Sequence, residues 1–216
     1  MDIARLRCET AAEHIAVERS VPLMKPDLTK EEYVSTIGKI YQFVGLWEER
    51  AAVEAPGWLR EMLVARRRSS LLLGDLERLN VLTTRPVQEP VLPPTASEAG
   101  FLGAMYVMEG STLGGQLIAR HLEKTLGLAA GNGYSYFQGH GAETGRLWRE
   151  FCGVLQTRVP DAESHKVIQA AQQMFRAFGS WMQGMNPEAF TADQPSFTVP
   201  KPKANSYGST ITKDFQ

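Results

Sequence analysis

Cysteine is scarce in this chain: two in 216 residues, Cys8 and Cys152, with no CxxC spacing and no histidine cluster beside either. That excludes a disulfide-stapled scaffold and a zinc ribbon, and it suits a reducing cytoplasm. Charge of one sign is also lacking, since 23 Lys and Arg oppose 24 Asp and Glu for a formal net charge of −1. Without a net basic field the sequence gives no reason to expect a nucleic-acid or anionic-membrane partner. The longest leucine run, Leu71 to Leu73, stops at Gly74 and Asp75, far short of a membrane span. The N-terminal stretch alternates charges of both signs, so a signal peptide is not expected. No Asp or Glu has a His three residues later, which removes the dimetal-carboxylate bundle, and no GxxxxGK[ST], GxGxxG or GxSxG motif occurs.

What remains is a chain that is 43% apolar, enough for one sizeable core. Its periodicity is helical nearly throughout, and the expected class is an all-α, single-domain helical bundle. Ile3, Leu6, Ile15 and Val17 suggest a first helix over 2–21, stopped by Pro22. Thr29 and Glu32 read as a capping box, followed by the stripe Tyr33, Val34, Ile37, Ile40, Tyr41, Val44 and Trp47. One or two helices should occupy 58–79, and Pro86, Pro90, Pro93 and Pro94 mark an extended connector over 83–94. Thr95 and Glu98 suggest a second capping box, opening one long helix to about Leu126. A glycine-rich loop over 127–141 and helices over about 142–157 and 161–185 complete a domain of residues 1–185. The Pro-containing stretch 186–216 reads as a tail.

Two features carry chemical information. His14 has Glu18 four residues later and Arg7 two turns earlier, so all three share one helical face. Metal-binding imidazoles commonly give their other N–H to a carboxylate or carbonyl, and Arg7 suits an anion; a plain surface His–Glu pair is the alternative. His121, among Arg120, Glu123 and Lys124, reads as solvated, and His140 lies in the glycine loop. The second feature is a helix carrying Gly110, Gly114 and Gly115, each costing roughly 1 kcal/mol relative to Ala. Either another helix packs very closely there, or a flat ligand lies on bare backbone. A metal-bearing flat molecule between two helices, with a neutral axial His, describes haem.

At this point the residues resemble the haem oxygenases, most closely the bacterial type associated with bacteriophytochromes. Leu6-Arg7 with Thr10-Ala-Ala-Glu-His14-Ile-Ala-Val-Glu18 is similar to the family's proximal-helix pattern. Tyr106-Val-Met-Glu-Gly110-Ser-Thr-Leu-Gly114-Gly115-Gln116 resembles its distal helix, and Tyr136-Phe137 through Trp148-Arg149-Glu-Phe151 the segment after it. The resemblance implies His14 as proximal iron ligand with Glu18 as its hydrogen-bond partner. It also implies Arg7 and Arg149 on the propionates; Arg146 and Arg158 are the next candidates should those two not hold them. Gly110 and Gly114 become close-contact glycines, with Gly115 and Tyr136 also at the cofactor. Ser111 stands where the animal enzymes place an Asp that organises distal water.

The implied reaction consumes haem, dioxygen and electrons and yields biliverdin, ferrous iron and carbon monoxide. Haem is both cofactor and substrate, an external reductase or ferredoxin supplies the electrons, and the bacteriophytochrome-associated type allows delivery of biliverdin to a phytochrome. Two other readings stand beside it: a haem-binding or sensing protein of the same fold without turnover, and a thiaminase-like bundle holding another aromatic molecule.

Overall fold

The computed structural model describes residues 1–81, 89–129 and 131–184. The tail expected over 186–216, and half of the proline connector (83–88), lie outside these. Ten α-helices and no β-strand occur among the described residues. No helix among them is long and apolar enough to cross a membrane.

The first stretch is two helices, α1 (Ile3–Glu9) and α2 (Ala11–Ser20), rather than the single one expected over 2–21. The Oδ1 of Asp2 caps α1 by accepting from the amide of Ala4 at 2.8 Å. The break falls on Thr10, whose hydroxyl donates to the Leu6 carbonyl at 2.8 Å and whose ψ is 1°. Threonine bonded back to its own helix bends it.

The 25-residue α3 (Lys30–Glu54) opens with the expected capping box, Thr29 and Glu32 each bonding the other's backbone amide. From the expected stripe it buries Tyr33, Ile37, Ile40, Val44 and Trp47; Val34 and Tyr41 are only half-buried. Two short helices follow, α4 (Arg60–Val64) and α5 (Ser69–Arg78). The Glu48 carboxylate, projecting from α3, accepts from the amides of Arg68 at 2.6 Å and Ser69 at 3.0 Å. An anion thereby meets the first turn of α5, where the helix dipole favours it.

The long helix expected from Thr95 to Leu126 is divided into α6 (Glu98–Gly110) and α7 (Gly115–Leu126). Its cap is Ser97, which accepts from the Gly100 amide at 3.0 Å; the Thr95 hydroxyl is spent on the Glu54 carboxylate instead. The division follows from two side chains that bond backwards: Ser111 Oγ donates to the Met108 carbonyl and Thr112 Oγ1 to that of Glu109, both at 2.7 Å. After α7 the chain turns at Gly127, where φ is +64°, and forms α8 (Ser135–Gln138) inside the expected loop. The amides of Ser135 and Tyr136 donate to the fully buried Asp75 carboxylate of α5 at 2.8 and 2.9 Å. The last helices are α9 (Thr144–Arg158) and α10 (Ser164–Gln183).

α10 is the spine, packing extensively on α6 and also on α2 and α3. A Cβ added to Gly103 of α6 would lie 2.3 Å from the Val167 carbonyl oxygen of α10, so hydrogen is the only side chain that fits. Replacing Gly103 by Ala adds helix propensity worth about 1 kcal/mol but forces backbone apart. A net loss of about 2 kcal/mol is expected, read as a lower urea midpoint. An unchanged midpoint would mean that α6 and α10 do not meet as described.

Candidate active site

The candidate side chains lie on elements that pack around α10. His14 sits on α2 with its ring edge-on to Phe175 of α10, centroids 5.6 Å apart and planes at 90°. Its Nδ1 is 3.6 Å from Glu18 Oε1, an ion-pair separation longer than a hydrogen bond. The imidazole is 55% exposed and α2 buries none of its own residues; Ile15 beside it is 46% exposed. This helix is held from one side, by Arg176 Nη2 on Glu13 at 2.7 Å, while Gln172 donates to the Glu9 carbonyl at 2.7 Å. Among the described residues no three His, Cys, Asp or Glu side chains gather as a metal cluster.

At the bend between α1 and α2, Tyr106 of α6 is buried with its hydroxyl against Thr10. Burial raises the phenol's pKa, while Thr10 and the nearby Arg7 guanidinium pull the other way. Cys152 of α9 belongs to the same cluster: burial pushes its thiol up and Arg7 opposes. Arg149 is exposed on α9, one turn before Cys152. Arg146 is engaged by Glu143 at 2.5 Å, and Arg158 lies 4.4 Å over the Trp58 ring.

The three motif glycines prove to be different. A Cβ at Gly114 would meet nothing within 4 Å, so that surface is open. At Gly110 it would make ordinary contact, 3.7 Å, with the Trp148 ring, which lies over the expected bare surface. At Gly115 it would lie 2.1 Å from the Phe137 carbonyl oxygen. Gly115, expected at the cofactor, is therefore a packing glycine that lets α7 seat on α8.

Behind the break lies a residue that no local pattern marks. Arg68, 3% exposed, donates from Nη2 to the Met108 carbonyl at 2.9 Å and to Ser111 Oγ at 3.2 Å, and its guanidinium stands 4.8 Å over the Tyr136 ring. Tyr136, also expected at the cofactor, is thus a platform for Arg68. The one hydroxyl proton of Ser111 is already given to its own helix. Arg66 lies alongside, reaching Glu109 at 3.2 Å and Glu150 at 3.1 Å. Burial raises the Glu109 pKa, against the pull of Arg66 and Arg68. His121, expected in solvent, is instead half-buried with Nε2 2.9 Å from the Lys25 carbonyl.

The family model described as "Heme oxygenase" matches residues 3–184. The chain belongs to the haem oxygenase family. A curated relative from Xanthomonas campestris, named haem oxygenase, is 42% identical over 115 residues; the match covers 52% of this chain and 66%, just under two thirds, of that relative. In fold the chain is similar to the haem oxygenase of Neisseria meningitidis solved with NO and CO bound, with a TM-score of 0.71 at 22% identity over 86% of this chain and 94% of that one. It is likewise similar to the haem oxygenase of Leptospira interrogans, with a TM-score of 0.66 at 20% identity over 83% and 97%.

The sequence singles out His14, Glu18, Arg7 and the glycine motif as candidates; the structure adds the packing of Tyr106, Trp148 and Arg68 around them. Tyr106 opens the quoted motif and Trp148 stands in the following segment; only their packing partners single them out. His140 supplies a pH test of this region. Its Nε2 is buried without a hydrogen-bond partner among the described residues, and burial, aided by Arg68 and Arg66, lowers its pKa from the ordinary 6.5. The unfolded chain therefore binds the proton first. The stability His140 contributes is present above about 6.5 and is lost as pH falls through the folded-state value. Urea midpoints of His140→Gln should fall less steeply than wild type between pH 7 and 5; parallel curves would place the imidazole in solvent.

Proposed function

We propose that this chain is a haem oxygenase in activity as well as family, cleaving haem with dioxygen and reducing electrons to biliverdin, ferrous iron and carbon monoxide. One observation carries the reading: an imidazole backed by a carboxylate on a helix that buries nothing of its own, built on the same spine as a second helix broken at an open glycine. The donor set fits an iron porphyrin. His14 Nε2 makes no hydrogen bond among the described residues and is the nitrogen to bind iron, while Glu18 at Nδ1 orients the ring. Bound haem supplies the iron that activates dioxygen and is itself the ring that is cut.

The protein's own groups set the geometry. Arg7 and the Tyr106 hydroxyl offer a cation and a donor to a propionate at the bend between α1 and α2, and Arg149 offers a second cation from α9. Holding the propionates at these groups would set the rotation of a bound ring. Gly114 leaves room for a diatomic molecule beside the helix, and Trp148 over Gly110 narrows that room on one side. Ser111 cannot donate in its present rotamer, so Arg68, its donor partner, is the group that holds the polar end of the break in place. An external electron donor, reductase or ferredoxin, and a cytoplasmic location belong to the same proposal, as does delivery of the bilin to a bacteriophytochrome.

Purified protein incubated with hemin, ascorbate and catalase should develop a Soret band that gives way to bilin absorbance. A persistent Soret band would indicate a haem binder without turnover, and no band a bundle for another aromatic ligand. His14→Ala should abolish turnover and change the Soret spectrum, with added imidazole restoring part of both. Unaltered spectra in that variant would reject the assignment.

Gly114→Leu separates packing from chemistry. The backbone there is ordinary right-handed, φ −79° and ψ −8°, and the space is open, so stability should stay within about 0.5 kcal/mol of wild type. Turnover should nevertheless fall, because the side chain fills the room left for dioxygen. Wild-type haem degradation by this variant would overturn the role given to Gly114.

A further inference from the structure

On a different face of α6 from Tyr106 and Gly110 lies a cavity of about 170 Å³, bounded by α3, α4 and the segment 66–68. Its volume is close to the ~150 Å³ of an engineered apolar cavity that takes up benzene. Trp47, Met105 and Met108 give it an apolar wall. The same cavity is lined by four arginines, Arg60, Arg66, Arg67 and Arg68, against two glutamates, Glu48 and Glu109.

The carboxylates are already committed. Glu48 accepts from the Arg68 amide, from the amide and hydroxyl of Ser69, and from Arg67 at 3.4 Å; Glu109 is taken by Arg66. Arg66 also pairs with Glu150 of α9, which leaves four cations against three carboxylates. Arg60 forms no ion pair among the described residues. The Arg66 side chain is 2% exposed, yet its Nε–H is buried with no hydrogen-bond partner. The outer lining residues Ala52 and Val64 are exposed, so the cavity opens to solvent at that end.

We propose that this cavity binds a compact aromatic or alicyclic monocarboxylate, its ring against Trp47 and the two methionines and its carboxylate among the arginines. Charge selects for an anion, and the apolar wall and the volume select against one without a body. The site is separate from that of haem, and it stands whether or not the chain turns haem over. An occupant touches the back of α6, and through Arg68 it adjoins the carbonyl and hydroxyl that shape the break at Ser111.

The test uses the full chain and benzoate, with benzyl alcohol (same ring, no charge) and acetate (same charge, no ring) as controls. Calorimetry should show saturable one-to-one benzoate binding, and NMR should show shifts in the Met105 and Met108 methyl resonances. Both controls should bind at least about tenfold more weakly. Ala52→Trp, a substitution at an exposed position that fills the mouth, should lower benzoate affinity by about tenfold or more while hemin titration stays as in wild type. Hemin-loaded protein should still take up benzoate. The proposal is overturned by absence of saturation up to about 10 mM, by benzyl alcohol binding as well as benzoate, by benzoate binding that survives Ala52→Trp, or by competition with hemin.

Discussion

The contact of Gly103 with the Val167 carbonyl sets the distance between α6 and α10, and the rest of the arrangement follows from that distance. At a 2.3 Å approach for even a missing methyl, the two helices meet backbone to backbone. α10 then carries Phe175 and Arg176 to α2, fixing the edge of the His14 ring and the carboxylate of Glu13. Because α2 buries nothing itself, its position is inherited. The imidazole is placed from across the bundle, by α10.

A second constraint is the charge enclosed behind the break in α6 and α7. Two arginines and two glutamates lie nine-tenths buried there, and removing any one partner leaves an uncompensated charge at a cost of several kcal/mol. Such a group is a poor source of stability but a strong specifier of geometry. Arg68 shares the Met108 carbonyl with the Ser111 hydroxyl, stacks on Tyr136, and is held in turn by Glu48 through its amide. Three segments distant in sequence are thereby required to agree on one position for Ser111.

How much of this is legible in the sequence depends on the range of the interaction. The Thr29–Glu32 box and the α3 stripe are local, and they stand as the pattern suggests. His14 and Glu18, one turn apart, face each other for the same reason. The breaks at Thr10 and at Ser111–Thr112 are local too, yet apolar periodicity runs through them unaltered; only hydroxyls turned onto their own carbonyls divide the helices. The glycines are the instructive failure. Gly114 and Gly115 are adjacent and chemically identical, and what separates them is the Phe137 carbonyl, more than twenty residues away. Arg66 and Arg68 likewise resemble solvated charge, and their burial depends on Glu48, Met108 and Glu109 arriving from two other helices.

The one-sided attachment of α2 has a consequence for the order of events in a catalytic cycle. A helix without a buried face of its own has little to resist local opening except what it binds. A ligand held through His14 acts as that helix's missing core, and occupancy raises its stability by mass action. If that ligand is consumed as proposed, the wall would lose its anchor as the product forms, and the exit would need no hinge.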